Sequence, residues 1–375
     1  MLQLLWLGNP ENRRCQFLLD AAQKEGWPPP VVLSYETVLK QPTNWEQLLS
    51  KVDWLRLESP GENAAVAQSL LGLGAAHVNS TAWVDPSIPL AKGSLNGLLQ
   101  QHLGFLHLLD QLEQACSAFP FVKWMNSLEY IRLCFDKQQC HQYLQQQGIA
   151  VPPALYSIQN YQDLRQKMQQ KGWSRVFIKP LHGSSASGVV ALRIQGNRIQ
   201  ATTSVDMQVH QKQITLFNSL RLRQYTSEKE VARLINCLAQ EGIIAEQWIP
   251  KASLGHAVFD LRVVVIGGQC QHIVVRQSQS PLTNLHLGNQ RGSLEQLKEK
   301  MGAKRWGRVV DLSEQTAAKL PAHQYACLDI LVRTDLEQSY ILEANAFGDL
   351  LPKVLYQGRN TYQAVLHDLK QQHYA

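Results

Sequence analysis

The segment from Cys327 to Pro352, CLDILVRTDLEQSYILEANAFGDLLP, constrains the fold most, because two short apolar runs carry acidic groups where a core strand should have none. Side chains alternate between the two faces of a strand. In Tyr340-Ile-Leu-Glu-Ala-Asn-Ala, alternation puts Ile341, Glu343 and Asn345 on one face and Leu342 and Ala344 on the other. A carboxylate and an amide oxygen spaced this way on one strand reach one hard cation. Asp329, inside the apolar run Cys327 to Val332, is a natural third oxygen donor. Oxygen-only ligation by few protein groups suits Mg2+, which keeps waters and usually shares substrate phosphates. The alternative is a salt-bridged Glu343 and an Asp329 that caps a turn. Three oxygen donors on adjacent strand segments favour the metal.

Phosphate-binding groups are then expected upstream. Val176-Phe-Ile-Lys179-Pro-Leu-His-Gly183-Ser184-Ser185-Ala-Ser-Gly188-Val reads as a strand, a flexible loop and a second strand. Lys179 falls on the face opposite Val176 and Ile178, so its ammonium points out of the core. Small loop residues let successive backbone N–H groups close on an anion. No Gly-Lys-Ser/Thr follows, so this is not a P-loop. A plain hairpin or linker is the alternative to a nucleotide clamp. Gly242-Ile-Ile-Ala-Glu246-Gln247-Trp248-Ile249-Pro250 is a short strand ended by a proline, which cannot continue a central strand. Its end offers free backbone groups to a planar base, with Trp248 and Ile249 to cover the faces. An ordinary strand end with a half-buried tryptophan is the simpler reading.

A hairpin lies between these motifs: Asp260 to Ile266, Gly267-Gly268, then Gln269 to Ser278. A two-residue turn pairs Ile266 with Gln269 and Arg276 with Phe259, which sends Arg262 and Arg276 to opposite faces. A three-residue loop with a bulge pairs Arg276 with Asp260 and brings both arginines to one face.

In this order the residues resemble the ATP-grasp superfamily over roughly the last two-thirds of the chain. Asp136-Lys137 resembles the first nucleotide lysine, at the end of a helix. Lys179 resembles the second, before a phosphate-covering loop that here holds Gly183, Ser184, Ser185 and Gly188. Glu246, Gln247, Trp248 and Ile249 resemble the adenine hinge. Arg262 and Arg276 resemble the arginines near the transferred phosphate, and Asp329, Glu343 and Asn345 the Mg2+ ligands. Trp124-Met-Asn126, Glu246-Gln-Trp-Ile-Pro-Lys251, Pro281-Leu-Thr-Asn-Leu-His-Leu-Gly-Asn and Asn345-Ala-Phe-Gly-Asp349 further resemble a sparsely characterised bacterial branch. Membership of that branch implies company with radical-type enzymes in biosynthetic gene clusters, hence pathway partner enzymes.

The resemblance implies an α/β (α+β) chain. Residues 1–120 would form an N-terminal Rossmann-like pre-ATP-grasp domain with a helical connector. Residues 121–375 would form the ATP-grasp fold, with a lid-like subdomain at about 180–245 and ATP between two α+β subdomains. The cofactors implied are ATP and one or two Mg2+ ions, with Mn2+ as a substitute. The activity implied is ATP-dependent ligation: a carboxylate is activated as an acyl phosphate and joined to an amine, thiol or other nucleophile. Two rivals use the same site, a small-molecule kinase and a non-catalytic nucleotide sensor. The full set of lysines and metal ligands weighs against the sensor.

The N-terminal part alternates strands (Leu2–Leu7, Val31–Ser34, Asp53–Leu57) with helices, a βαβ pattern that predicts a small parallel sheet. Gly26 stands where a C-cap glycine belongs. Gly8 follows the first strand, but the absence of G-x-G-x-x-G disfavours dinucleotide binding. Arg56 and Glu58 share a face near the end of the third strand. Arg56 is a candidate for a substrate carboxylate, and an internal ion pair is the alternative. Asn284, His286 and Asn289 are candidate substrate-binding groups in the loop after the arginine strand, with a merely solvated loop as the alternative. Ser127 should N-cap one helix that buries Ile131, Cys134, Phe135 and Leu144 and stops at Gly148. Ser227-Glu-Lys-Glu230 reads as a capping box for a helix running to Gly242.

The net charge of +6 is diffuse, without the concentrated basic stripe that nucleic-acid binding wants, and it suits a polyanionic nucleotide and an acidic small molecule. The seven cysteines are scattered and form no CxxC pair, which predicts reduced thiols. Gly97 to Cys116 is apolar but interrupted by Gln100, Gln101, His102, Asp110 and Glu113, so no membrane span is expected. The N-terminus does not read as a signal peptide, and cytoplasm is the default location.

Overall fold

Strands that alternate with helices must run parallel, because each crossover returns the chain to the same end of the sheet. The computed structural model, which describes residues 2–41, 43–78, 82–183, 187–210, 213–283, 289–347, 350–351 and 353–374, bears this out at the N-terminus. Strands β1 (Leu4–Gly8), β2 (Val31–Ser34), β3 (Trp54–Leu57) and β4 (Lys123–Trp124) form a parallel sheet in the order β2-β1-β3-β4. β1 and β3 are buried throughout, as parallel strands covered on both faces should be. Helices α1 (Arg13–Lys24), α2 (Tyr35–Lys40), α3 (Trp45–Leu49), α4 (Ala64–Gly74) and α5 (Leu98–Ser117) belong to this part. Gly26, at φ +63°, takes the chain out of α1 as expected.

α4 and α5 meet at two glycines. A Cβ on Gly74 would lie 1.8 Å from the Gln100 carbonyl oxygen, and one on Gly104 would lie 1.9 Å from that of Leu70. The two backbones therefore touch, and the crossing has no slack.

The helix expected after Ser127 is two helices, α6 (Leu128–Phe135) and α7 (Lys137–Gln146). Ser127 caps the first by accepting from the Tyr130 amide. Asp136 leaves helical geometry, and its carboxylate accepts from the Gln139 amide to cap the second. An aspartate that bonds nearby backbone prefers a cap to a helix interior. Lys137 therefore opens a helix rather than ending one.

A second, antiparallel sheet takes β5 (Ala154–Leu155), β6 (Arg175–Pro180), β7 (Val190–Gln195), β8 (Arg198–His210), β9 (Gln213–Tyr225) and β10 (Ile243–Gln247), in the order β5-β10-β6-β7-β8-β9. Helices α8 (Tyr161–Gln170) and α9 (Glu228–Gln240) pack on it through Leu164, Leu234 and Ile235, against Val176, Ile178 and Leu192. α9 starts where the capping box was expected, but Ser227 makes no side-chain cap bond. Glu228 and Glu230 instead place negative charge in its first turn.

The third sheet contains β11 (Ser253–Leu254), β12 (Ala257–Ile266), β13 (Gln269–Ser278), β14 (Gln290–Gly292), β15 (Tyr325–Val332) and β16 (Ser339–Asn345), with the main order β14-β13-β12-β15-β16 and β11 beside β12. α10 (Leu294–Lys319) and α11 (Thr361–Tyr374) accompany it. The β12–β13 turn has two residues, Gly267 and Gly268 at φ +56° and +78°, the doubly positive geometry that matches hairpin twist. A bulge then restores what a longer loop would have done. Val265 pairs with Cys270 but Val264 with His272, so Gln271 is the extra residue and Arg276 comes opposite Asp260. A second bulge corrects the alternation expected in β16. Asp329 pairs with Glu343 and Ile330 with Ile341, which leaves Leu342 extra. Ile341 therefore joins Ala344 in the core.

The glycine crossing yields a test. Gly104→Ala should destabilise the protein by about 1–3 kcal/mol, the usual cost of overpacking. Thermal unfolding would measure it, and an unchanged Tm would mean that the helices can separate freely.

Candidate active site

One solvent-open cleft of about 990 Å3 lies where the second and third sheets face each other. Its walls hold Lys137, Lys179, Gly183, Glu246, Gln247, Ile249, Arg262, Arg276, Asp329, Glu343 and Asn345, from separate stretches of sequence. Strand alternation explains Lys179: Val176 and Ile178 fill the core while Phe177 and Lys179 face the cleft. Lys179 Nζ donates to Glu246 Oε1 at 2.7 Å. Lys137 donates to the Gly183 carbonyl and lies 3.3 Å from Glu343 Oε1.

The two bulges set the other wall. Arg262 Nε and Nη2 donate to the two Asp329 oxygens at 2.5 and 3.1 Å. Arg276 Nε donates to Asp260 Oδ1 at 2.7 Å, and its Nη2 lies 3.2 Å from Asp329 Oδ1. Lys251 Nζ donates to Asp260 Oδ2 at 2.9 Å and to Thr283 Oγ1 at 2.7 Å. Thr283 also donates to Asp260. The result is an alternating chain, Lys251–Asp260–Arg276–Asp329–Arg262. Burial lowers the Lys251 ammonium, and Asp260 only partly offsets this. Burial works against the charge on Arg262 too, but Asp329 raises it above its ordinary value.

Asp329, Glu343 and Asn345 fit a hard divalent cation. All three offer oxygen, Asp329 and Glu343 are directly paired across β15 and β16, and the buried Asn345 Nδ2 has no hydrogen-bond partner.

Other sequence candidates fall elsewhere. Arg56 does not reach the cleft. It is 1% exposed, donates to Glu58 at 3.0 Å and to the Met125 sulfur at 3.2 Å, and lies over the rings of Tyr325 and Tyr362. The internal ion pair replaces the expected substrate contact. Trp248 packs behind Phe177, ring centroids 4.8 Å apart, and Phe177 takes its expected place on the wall. Gly188 is off the wall, at φ +75°, where a Cβ would meet Pro180 at 2.5 Å. Asn289 donates to the Leu282 carbonyl at 2.7 Å and ties the base of its loop. Ser184, Ser185, Asn284 and His286 lie outside the described residues. Lys251, Phe177 and Thr283 were not anticipated. The alternation that places Lys179 also places Phe177, whereas Lys251 and Thr283 are signalled only as members of the Glu246–Lys251 and Pro281–Asn289 motifs, with no role attached.

A family model described as YheC/D like ATP-grasp matches residues 127–347, more than half of the chain. The chain belongs to this ATP-grasp family. No curated protein matches it. Among solved structures, the D-cycloserine synthetase DcsG aligns with TM-score 0.57 and 12% identity, over 99% of each chain. The macrocyclase MdnC from Microcystis aeruginosa MRC, bound with precursor peptide MdnA, aligns with TM-score 0.53 and 14% identity, over 99% of this chain and 100% of that one. D-alanine–D-alanine ligase from Bacillus anthracis, complexed with ATP, gives 0.53 and 11%, over 100% and 99%. At these identities the likeness is one of fold: this chain has the mixed α/β ATP-grasp architecture. Among the described residues no helix is long and apolar enough to cross a membrane.

The ion chain makes acid stability testable. Burial alone would raise the Asp260 carboxyl, but Arg276 and Lys251, with hydrogen bonds from Arg276 and Thr283, hold it well below its ordinary value of 3.8. A carboxyl lowered by folding stabilises the fold above its unfolded value, and that contribution is lost as pH falls towards the folded one. Asp260→Asn should cost about 3–5 kcal/mol at neutral pH, because it leaves Lys251 and Arg276 short of a partner. The Tm gap to the native protein should narrow below about pH 4. A gap constant with pH would show that Asp260 carries no such linkage.

Proposed function

We propose that this ATP-grasp protein is an ATP-dependent ligase that activates a carboxylate as an acyl phosphate and joins it to an amine or other nucleophile. One observation carries the proposal: two lysines, two arginines and three oxygen donors converge on a single cleft. That set matches the needs of phosphoryl transfer, which are positioning and charge stabilisation rather than a protein nucleophile. We also propose the division of labour. Residues 1–120 would form an N-terminal Rossmann-like domain, and residues 121–375 the catalytic unit, with 180–245 as its lid.

In this reading adenine lies at the end of β10, against Glu246, Gln247 and Ile249, with Phe177 beside Glu246 on the neighbouring strand. Lys137 and Lys179 bind the phosphates, and the loop from Gly183 covers them. Asp329, Glu343 and Asn345 would hold Mg2+, which when bound neutralises phosphate charge and favours in-line attack. A carboxylate oxygen of the substrate attacks the γ-phosphorus, ADP departs and a mixed anhydride forms. Arg262 and Arg276 hold the phosphoryl oxygens in transit. An amine then attacks the acyl carbon, loses a proton and expels phosphate. The structural neighbours, a D-cycloserine synthetase, a macrocyclase bound with its precursor peptide and a D-alanine–D-alanine ligase, support substrates of small-molecule or peptide kind.

The direct test is a panel of carboxylic acids and amines, scored for coupled release of ADP and phosphate. Accumulation of a stable phosphorylated acid would instead make the protein a kinase. Lys179→Ala should weaken ATP binding by about 1.5–3 kcal/mol, the worth of a hydrogen bond to a charged group. Unchanged affinity in a folded variant would displace the nucleotide from this cleft. Arg262→Lys removes a fork of donors that lysine cannot copy. It should lower turnover about 10²–10³-fold while barely changing ATP affinity. Equal losses in both would make Arg262 a ground-state ligand.

A further inference from the structure

The loop after Lys179 is rooted by contacts that no nucleotide requires. His182, the residue before Gly183, stacks on His102 of α5 with ring centroids 3.8 Å apart and planes 13° apart. Beside it, the carboxylate of Glu241 caps the start of the same helix, accepting from the amides of Gly97 at 2.6 Å and Leu99 at 2.9 Å. The two contacts are neighbours, since the Leu181 amide donates to the Gly242 carbonyl at 3.0 Å. The second sheet is therefore docked twice on the first turns of α5. That helix is a firm platform: Gly104, two residues beyond His102, is in backbone contact with α4.

His102, Asp136 and His182 have potential ligand atoms within 4.8 Å of one another, which raises the question of a metal. The stack argues against it. An imidazole binds a metal through a lone pair in its ring plane, at about 2.0–2.1 Å. One ion cannot lie in two near-parallel planes stacked this far apart. Burial, with His182 and Lys137 nearby, pushes the His102 ring down to about 3, and burial lowers His182 as well. Both rings are neutral at neutral pH, so they stack without charge repulsion.

We propose that His102 is a positioning residue for nucleotide binding: by stacking on His182 it fixes the root of the phosphate loop against α5, with Glu241 bracing the same helix end. This rests on the reading of the cleft as the ATP site. The ring face is what matters. His102 Nδ1 is buried without a hydrogen-bond partner, so a phenylalanine gives up no bond there.

The experiment measures binding of Mg2+–ATP and of adenosine to the full chain, native, His102→Phe and His102→Leu. Adenosine reports the base site and carries no phosphate to meet the loop. We expect His102→Leu to weaken ATP binding roughly two- to tenfold, the size of one ring–ring contact, with adenosine affinity unchanged and His102→Phe close to native. Equal weakening of both ligands by His102→Leu would make the residue merely structural and overturn the proposal, as would no weakening at all. Stoichiometric Zn2+ uptake abolished by His102→Phe would also overturn it, in favour of a metal site. If the native protein binds no ATP, the reading of the cleft itself fails, and that outcome is distinct from failure of His102.

Discussion

The fold around the cleft depends on keeping buried charges paired. Lys251, Asp260, Arg276, Asp329 and Arg262 all lie in or beside the third sheet, and Asp260 and Asp329 are 2% and 7% exposed. A lone charge at such depth would cost several kcal/mol, so each must meet its opposite. Only one register of β12, β13 and β15 brings this about. A one-residue slip would turn Arg276 into the apolar face that holds Phe259, Leu261 and Val263. The charges thus specify strand register more than they stabilise the fold, and the bulges at Gln271 and Leu342 are the adjustments that let apolar packing and ion pairing hold together.

Those bulges mark the boundary of what the sequence discloses. Alternation correctly sends Lys179 away from Val176 and Ile178, and the Gly267-Gly268 pair is a readable two-residue turn. A single extra residue such as Gln271 has no compositional signature, because only its partner strand reveals it. The two arginines could therefore be brought to one face only through a wrongly lengthened loop. Asp136 shows a local competition of the same kind. Periodicity favours one helix through Ile131, Cys134 and Leu144, but a carboxylate that can cap the Gln139 amide breaks it in two. Trp248 has the size and polarity of a base-pocket residue, yet Phe177 holds the wall because it shares a strand face with Lys179.

Arg56 was illegible for a different reason. The end of a parallel strand is where ligands gather. What covers Arg56 comes from far along the chain: Tyr325 at the start of β15 and Tyr362 in α11, with ring centroids 5.0 and 5.5 Å from the guanidinium. A cation between aromatic faces, with Glu58 at 3.0 Å, joins the first sheet to the third. Its charge is used for assembly rather than for a ligand.

The pairings in the cleft also bear on how ligands would enter. Lys179 with Glu246, Lys137 with Glu343 and Arg262 with Asp329 are held at 2.7, 3.3 and 2.5 Å. In each pair the cation is a candidate for phosphate. Two of the three acids, Glu343 and Asp329, are candidates for a divalent ion. Phosphate alone would have to pull the lysine and arginine from their acids and leave those acids buried beside a polyanion. A divalent ion alone would strand the cations in the same way. When both arrive together, Glu343 and Asp329 would turn to the metal and Lys137 and Arg262 to the phosphates, while Lys179, with three donors, would keep Glu246 and still reach a phosphate. On the proposed reading, desolvation would couple the two ligands without any change of fold, each lowering the cost of seating the other.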